Sequence, residues 1–130
     1  METAKFLALM PVLPSQDVAA AIDFYVNKLA FQLQFQDSLS NPFYAGVSRD
    51  GVQLHLQWHD PSEWSTVERP QLRFEVPEIE LLFEEYQGLS VFHANTKLRT
   101  TPWGTREFAF FDLDQNGLTF FARTEVTGNA

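Results

Sequence analysis

Histidine, carboxylate and amide side chains are the groups in this chain that could bind a metal ion or move a proton, and aromatic rings are the groups that could stack on a ligand. The chain has 3 histidines, 17 acidic residues and no cysteine. Without cysteine it has no thiolate nucleophile, no thiolate zinc site and no disulfide. This composition fits a reducing cytoplasm, where we expect the protein to be located. The candidate chemistry is therefore that of imidazole, oxygen donors and aromatic surfaces.

The charge balance limits the expected partners. Nine basic residues stand against 17 acidic ones, for a formal net charge of -8. Such a field repels nucleic acid and anionic membranes and attracts cations. The apolar run near the N-terminus contains Pro11 and Pro14, is too short to span a bilayer and has no small-residue cleavage site. We expect neither nucleic acid nor a membrane as a partner, although the charge alone is also typical of a protein that is simply kept soluble.

The spacing of apolar residues in the first half predicts the order β-α-β-β-β. Residues 5–13 form an apolar run that predicts a strand, and Ser15 or Asp17 can cap an amphipathic helix that continues to about Leu29. Three further strands are predicted at residues 31–36, 43–48 and 52–58. The last two are joined through Asp50-Gly51, a dipeptide typical of hairpins. A polar stretch at residues 60–70, which contains prolines, predicts a surface linker.

The same order of elements begins again after this linker. A strand at 71–76 precedes a helix that is marked by Pro77 at its start and by Gly88 at its end. Strands are then predicted at residues 90–92, 106–111 and 117–123. The 130 residues are consistent with one α+β domain that contains a first module at about 1–60 and a second at about 71–125.

Strand alternation predicts which side chains lie on each face of the sheets. In the strand at 52–58, Gln53, His55 and Gln57 point away from the apolar set. The strand at 71–76 repeats this pattern, with polar residues at 71, 73 and 75. Two curled mixed sheets with helices outside and polar groups inside would surround a cleft, which is a typical place for a ligand.

Two motifs resemble those of a known family. The segments PVL at 11–13, DVAAAIDFY at 17–25 and KLAF at 28–31 resemble the first strand and helix of glyoxalase/bleomycin-resistance proteins, with Ala30 in place of the usual glycine. The segments PWGTREFA at 102–109 and DLDQN at 112–116 resemble a signature of the bleomycin-resistance branch, in which Leu113 and Gln115 replace a proline and a glycine. The resemblance spans nearly the whole chain and implies two βαβββ modules around a cleft.

Enzymes of this superfamily hold one divalent ion with four inward side chains, and the resemblance places those positions at Met10, His55, Gln71 and Thr119. Hard divalent ions prefer several oxygen or imidazole ligands, and this set offers one imidazole and one amide. We therefore expect no metal and no cofactor, with His55 as a hydrogen-bonded side chain of the cleft wall. A register shift of two residues would instead bring in Glu75 or His59. Glu75 and Glu107 are also the carboxylates that could act as bases if the protein is an enzyme.

The resemblance implies sequestration, without catalysis, of a cationic aromatic drug of the bleomycin class. Such binding needs ring faces and acidic groups. The candidate ligand-binding residues are Trp103, Trp58, Trp64, Phe35, Phe43, Tyr44, His55, Asp37 and Glu63. Core packing or loop anchoring is the alternative interpretation of each of these aromatic residues, and it is the favoured one for all except Trp103. The alternative function is that of a lyase, dioxygenase or transferase of the same superfamily, with an atypical metal site or none.

The resemblance also implies a homodimer with two clefts. In relatives, the position of Pro11 is where the N-terminal strand crosses to the partner. A rigid, extended hinge favours exchange of an identical element between protomers. The alternative interpretation of Pro11 is an edge-strand proline without exchange.

Overall fold

A computed structural model describes residues 1–124 as two modules of similar topology. The first contains β1 (Val12–Ser15), α1 (Val18–Asp23), β2 (Gln32–Gln36), β3 (Tyr44–Arg49) and β4 (Val52–Trp58), and α1 continues as a π-helical turn over Phe24–Lys28. The second contains β5 (Gln71–Glu75), α2 (Ile79–Tyr86), β6 (Arg99–Thr100), β7 (Thr105–Phe111) and β8 (Gly117–Arg123). A 3-10 helix over Pro61–Thr66 lies in the stretch between them.

Each module has one four-stranded mixed sheet. The first sheet has the strand order β1-β4-β3-β2 and the second has the order β5-β8-β7-β6. In both sheets the first strand runs parallel to the last one, and the other pairs are antiparallel. The predicted α+β class and the two βαβββ modules are confirmed.

The helices begin where the sequence places a cap or a proline. The Asp17 side chain accepts a hydrogen bond from the N–H of Ala20 at 3.1 Å, which satisfies one of the free donors at the start of α1.

Ala30, which follows this helix, has φ of +64°, and Gln115 has φ of +70°. These are the two positions where the family motif has glycine. Both residues therefore adopt the left-handed backbone conformation that glycine adopts without a steric cost.

The hydrophobic core lies between the helices and one face of each sheet. Leu54 and Leu56 of β4 and Phe108 and Phe120 of the second sheet are almost completely buried in it. The opposite face of each sheet, here called its open face, is not covered by a helix. By strand register, the open face of the first sheet has Tyr44, Gly46, His55 and Gln57, and that of the second has Gln71, Arg73, Glu107, Thr119 and Phe121.

A buried polar joint connects the two modules. The Tyr25 hydroxyl donates to Asp112 Oδ2 at 2.7 Å, and burial, reinforced by Asp112, raises the pKa of Tyr25 well above its usual value. Asn116 Nδ2 donates to the carbonyl of Pro14 at 3.1 Å and to Asp112. The N–H of Gln16 also donates to Asp114. Because these bonds join residues about 100 positions apart, the joint fixes the first strand and helix against the turn between β7 and β8.

A second contact between the modules is a buried tyrosine with an ion pair beside it. The Tyr86 hydroxyl donates to the carbonyl of Leu29 at 2.9 Å, and Arg49 bridges the same carbonyl and Glu85. Burial raises the pKa of Tyr86 to about 12, in spite of the opposing charge of Arg49. The hydroxyl is therefore a permanent donor at neutral pH.

Two strand predictions are wrong. The strand predicted at 5–13 is confined to Val12–Ser15, and residues 5–10 form an arm whose apolar side chains Phe6, Leu7 and Leu9 are 82–95% exposed. The strand predicted at 90–92 is absent because Val91 and Phe92 are apolar through packing on the core, where Phe92 lies 5.0 Å from the Phe83 ring. A strand forms later, at Arg99–Thr100. No helix within residues 1–124 is long and apolar enough to cross a membrane.

Candidate functional site

An aromatic cluster occupies the open face of the first sheet. The rings of Phe35 and Tyr44 are stacked, with centroids 6.1 Å apart and 18° between their planes. His55 packs edge-on against both rings, at 5.3 Å from each. The Tyr44 hydroxyl and His55 Nδ1 share a hydrogen bond of 2.7 Å. The bond fixes the orientation of the two polar rings, and Phe35 beside them is half exposed.

Gly46 and a β-bulge in β2 determine the position of the aromatic cluster. Gly46 lies opposite both Phe35 and His55 in the sheet, and a Cβ at Gly46 would overlap the Phe35 ring. A register shift between Leu33 and Phe35 turns the latter onto the open face. Phe35 is therefore half exposed above backbone, instead of being buried in the core. Together with Tyr44 and His55 it forms a contiguous aromatic patch, and exposed patches of this kind mark binding surfaces more often than single exposed rings do.

Phe43 and Trp58 lie at the end of the same sheet. Their ring centroids are 5.0 Å apart, and Trp58 also packs against the core. Asp37 Oδ1 accepts a hydrogen bond from the N–H of Phe43 at 2.9 Å, so this exposed carboxylate is held next to the aromatic pair. The structure brings three more predicted site residues to the end of the first sheet.

Trp64 and Glu63 belong to the 3-10 helix between the modules. The guanidinium of Arg69 lies 4.6 Å from the centre of the Trp64 ring, so one face of that ring is already covered by a cation. Glu63 accepts from the N–H of Asp60 and lies 3.2 Å from His59 Nδ1. Hydrogen bonds from Ser62, the backbone one foremost, lower the pKa of Asp60. These side chains therefore form the cap and the anchor of a surface turn.

Trp103 lies apart from the other predicted site residues. It belongs to the turn between β6 and β7, where Gly104 has φ of +91°, and its side chain is 62% exposed. It is the one predicted ligand-binding residue in the second module. A large exposed ring on a tight turn has little role in packing, and this distinguishes Trp103 from Trp58.

The open face of the second sheet is ionic. Glu107 is 4% exposed, and its carboxylate accepts from Arg73 at 3.0 Å and from the Thr105 hydroxyl at 2.7 Å, with Arg99 at 3.8 Å. Burial alone would raise the pKa of Glu107, but the hydrogen bonds from Arg73 and Thr105 and the charges of Arg73 and Arg99 outweigh burial and lower it. Glu107 is therefore ionised at neutral pH.

Two cavities lie near these faces. One, of about 480 Å³, is lined entirely by the second module, and its walls include Gln71, Lys97, Arg99, Glu107 and Thr119. We call it the second-sheet groove. The other, of about 530 Å³, lies at the junction of the modules beside the Arg49–Glu85 pair. The junction cavity is larger but contains none of the Phe35, Tyr44 and His55 rings, so the open faces remain the better candidate site.

Comparison with known proteins places the chain in a family. The profile of the Glyoxalase/Bleomycin resistance protein/Dioxygenase superfamily matches residues 7–120. The chain belongs to this superfamily. Over 130 aligned positions it is 30% identical to the bleomycin resistance protein of Geobacillus stearothermophilus and to that of Staphylococcus aureus, and the match covers 88% of this chain and 96% of each relative. The resemblance inferred from the two sequence motifs is confirmed.

Solved structures of the superfamily have the same fold. The bleomycin-binding protein of Streptomyces verticillus in complex with copper(II)-bleomycin is 30% identical, with a TM-score of 0.74 over 95% of this chain and 100% of that one. The bleomycin resistance determinant encoded on transposon Tn5 has a TM-score of 0.75 over 93% of this chain and all of that one. At 16% identity, the latter shows the fold alone.

The superfamily's metal positions do not form a metal site in this chain. Met10 lies on the N-terminal arm, and His55 Nδ1 is bound to Tyr44. Gln71 lies over Gly117 on the second sheet, two strand positions from Thr119. Within residues 1–124, no three His, Asp or Glu side chains converge as metal ligands would. The alternatives, Glu75 and His59, are paired with Arg123 and Glu63. The donor set therefore does not fit a divalent ion.

The sequence interpretation missed Lys97 and Arg99, which line the second-sheet groove, and the buried joint around Asp112. The basic pair belongs to the segment at 93–100, where the wrong strand boundaries hid its position. A signal was present, because Lys97 and Arg99 are separated by one residue and so point to one side of an extended segment.

Proposed function

We propose that the protein is a non-catalytic binding protein that sequesters a cationic, aromatic, drug-like small molecule. The ligand would bind in a cleft at a homodimer interface, against the open face of the first sheet. The observation that supports this proposal is the cluster of Phe35, Tyr44 and His55, whose rings pack together outside the core with Phe35 45% exposed. Relatives over most of the chain are bleomycin resistance proteins, so bleomycin is the first ligand to test.

The chemistry of the cluster suits a planar ligand. Aromatic rings bind flat conjugated groups by offset stacking and cations by their negative faces. Phe35 is half exposed, and the hydrogen bond between Tyr44 and His55 holds the neighbouring rings in place. Phe43 and Trp58 form a second aromatic pair at the end of the sheet, where Trp58 packs on the core and Phe43 is half exposed. Trp103 would cover the ligand from the second module.

The charges near this surface favour a cationic ligand. Asp37 is held beside Phe43, and Glu63 lies on the turn that follows the first module. The formal net charge of -8 adds a long-range attraction for cations. We propose Asp37 and Glu63 as the nearest partners of a cationic tail, and the cytoplasm as the place where the drug is trapped.

The N-terminal arm supports the dimer. The N–H of His55 donates to the carbonyl of Pro11 at 2.8 Å, so the chain joins the first sheet at Pro11. The residues before it expose Phe6, Leu7 and Leu9. Apolar side chains exposed together in this way are typical of a surface that another chain covers. We propose that the arm is exchanged with a second copy, which also brings the two open faces into one cleft.

The test is a titration with bleomycin, followed by tryptophan fluorescence and calorimetry. Wild type should respond saturably, and Phe35→Ala should weaken binding by about fivefold, since one stacked ring contributes about 1 kcal/mol. Leu81→Ala removes an exposed apolar side chain from the outer face of α2 and serves as the control, with unchanged affinity. Equal losses in both variants would contradict the proposed site.

Two further measurements test the remaining parts of the proposal. Light scattering after size exclusion should give the mass of a dimer, and Phe6→Ser/Leu9→Ser should shift it toward the monomer. A monomeric wild type would rule out the cleft at a dimer interface. Elemental analysis distinguishes the alternative enzyme, because near-stoichiometric nickel, zinc, manganese or iron in the purified protein would favour catalysis.

A further inference from the structure

The second-sheet groove has the opposite charge to the rest of the protein. The chain as a whole has a formal charge of -8, yet the charged residues that line this groove are two cations, Lys97 and Arg99, and a single carboxylate, Glu107. That carboxylate is already neutralised by Arg73 and Arg99. The groove therefore has an excess of positive charge inside an acidic protein.

Lys97 and Arg99 have hydrogen-bond donors that remain available in the groove. Within residues 1–124, Lys97 forms no ion pair, and the contact of Arg99 with Glu107 is a loose one of 3.8 Å. A guanidinium has five N–H donors and an ammonium has three. The tighter contact of Glu107 is with Arg73, at 3.0 Å. Arg99 and Lys97 can thus bind an anion without breaking the network that holds Glu107.

The walls of the groove are fixed by local hydrogen bonds. The imidazole Nε2 of His93 accepts the N–H of Phe111 at 2.9 Å, and the Thr96 hydroxyl donates to the carbonyl of Ala109 at 3.0 Å. These bonds tie the segment that contains Lys97 to the edge of β7. Because Nε2 accepts, a neutral His93 ring has its proton on Nδ1, where it is a further donor.

An aromatic surface adjoins the charged groups. Phe111 is half exposed, and the His93 ring packs against it at 5.5 Å. Gln71, which also lines the groove, offers an amide as well. The volume of about 480 Å³ is that of a pocket for a small organic molecule.

We propose that the second-sheet groove binds an aromatic oxyanion, with its carboxylate or phosphate group on Lys97 and Arg99 and its ring against Phe111. Arginine recognises such groups through paired N–H donors, and a charged cleft concentrates ligands of the opposite sign. The inference rests on the proposed function in one respect, since the groove is the second module's part of the proposed cleft. An oxyanion bound there would contact the positive charges of the groove, which a purely cationic ligand would not.

The test uses 1-naphthoate and 1-naphthyl phosphate as probes, with 1-naphthylmethylammonium as the control of opposite charge. Calorimetry should show saturable binding of at least one anion, and affinity should fall about tenfold in Lys97→Ala/Arg99→Gln, since hydrogen bonds to charged groups are the strong ones. Binding should also weaken as salt is raised. Preference between the two anions identifies carboxylate or phosphate as the better group.

The matched control is Lys28→Ala/Arg106→Gln. It removes the same two charges, but Lys28 lies in the π-helical turn and Arg106 pairs with Glu80 of α2, away from the groove. Affinity for the anions should be unchanged. Equal losses in both double variants, or equal binding of the ammonium probe, would overturn the proposal. Amide shifts at residues 93–99 and 107–111 of wild type give the same answer without any variant.

Titration of the same proteins with bleomycin separates this inference from the proposed function. Bleomycin should bind Lys97→Ala/Arg99→Gln at least as tightly as wild type, because the lost charges repel a cation. Naphthyl anions that bind while bleomycin does not would remove only the proposed drug. Bleomycin that binds while neither anion does would remove only the oxyanion site.

Discussion

The two sheets have the same strand order, but their open faces differ in chemistry. The first presents stacked, uncharged rings, with Tyr44 and His55 joined by a hydrogen bond. The second presents Glu107 between Arg73 and Arg99, with almost no exposure of the carboxylate. The core faces of both sheets, in contrast, are packed with leucine, valine, alanine and phenylalanine. A repeated backbone therefore fixes where side chains meet, while the residues on the open face decide what they can bind.

The buried joint holds the two modules together. Asp112 accepts from the Tyr25 hydroxyl, from Asn116 Nδ2 and from two backbone N–H groups of its own turn. Its carboxylate therefore satisfies four donors at once. Removal of this acceptor would leave them buried without partners, which is among the costliest single changes.

The largest expected effect is that of Asp112→Ala. We expect the free energy of unfolding to fall by about 3–4 kcal/mol, because several buried donors lose their acceptor. Urea unfolding should still give one transition by both tryptophan fluorescence and circular dichroism. Tyr25→Phe, which removes a single hydrogen bond, should cost about 1 kcal/mol. Two separate transitions in wild type would show that the modules are independent and that the joint does not couple them.

The second prediction concerns the ionic face. Glu107→Gln keeps the shape of the side chain and removes its charge, and we expect a loss of about 1–2 kcal/mol at pH 7. The pKa of Glu107 is lowered from its ordinary 4.5, so its stabilising contribution is complete above that value and is lost as the pH falls through the lower pKa of the folded state. The difference in stability between wild type and variant should therefore begin to shrink only as the pH falls below 4.5, and it should vanish below the folded-state pKa.

The control for this prediction is Glu80→Gln on the outer face of the same module. Glu80 pairs with Arg106 at 3.0 Å, but both side chains are substantially exposed. We expect a change of less than about 0.5 kcal/mol, because water screens an exposed ion pair. Urea titrations of the three proteins between pH 3 and 7 provide the measurement. If the difference in the free energy of unfolding between wild type and Glu107→Gln stayed constant over this range, the charge of Glu107 would not be what stabilises this face.

Much of the fold could be predicted from local sequence signals. Asp17 caps α1 as expected, and alternation in Val52–Trp58 and Gly117–Arg123 gave the exact bounds of β4 and β8. These features depend on neighbouring residues. The positions of Phe35, Tyr44 and His55 on one face also follow from period-two alternation, once the bulge in β2 is allowed for.

The features that were predicted wrongly or missed have a different physical origin. The apolar arm at 5–10 has the composition of a strand, but no strand pairs with it within residues 1–124. Val91 and Phe92 are apolar because they pack on the core. The joint between Tyr25 and Asp112 connects residues 87 positions apart. Local patterns contain no information on such distant partners, so these features appear only once the chain is folded.

One of the smallest expected effects, that of Gly117→Ala, belongs to a matched pair of glycines, one beneath each open face. A Cβ at Gly46 would overlap the Phe35 ring, and a Cβ at Gly117 would overlap the end of the Gln71 side chain. The phenyl ring is rigid and must leave its stack with Tyr44, whereas the amide can rotate toward solvent. We therefore expect Gly46→Ala to cost about 1–2 kcal/mol and Gly117→Ala less than about 0.5 kcal/mol. Urea unfolding measures both, and ring-current shifts of the His55 protons should change only in Gly46→Ala. Equal costs for the two variants would mean that the aromatic face is as adaptable as the ionic one, and the contrast between the sheets would then lie in charge alone.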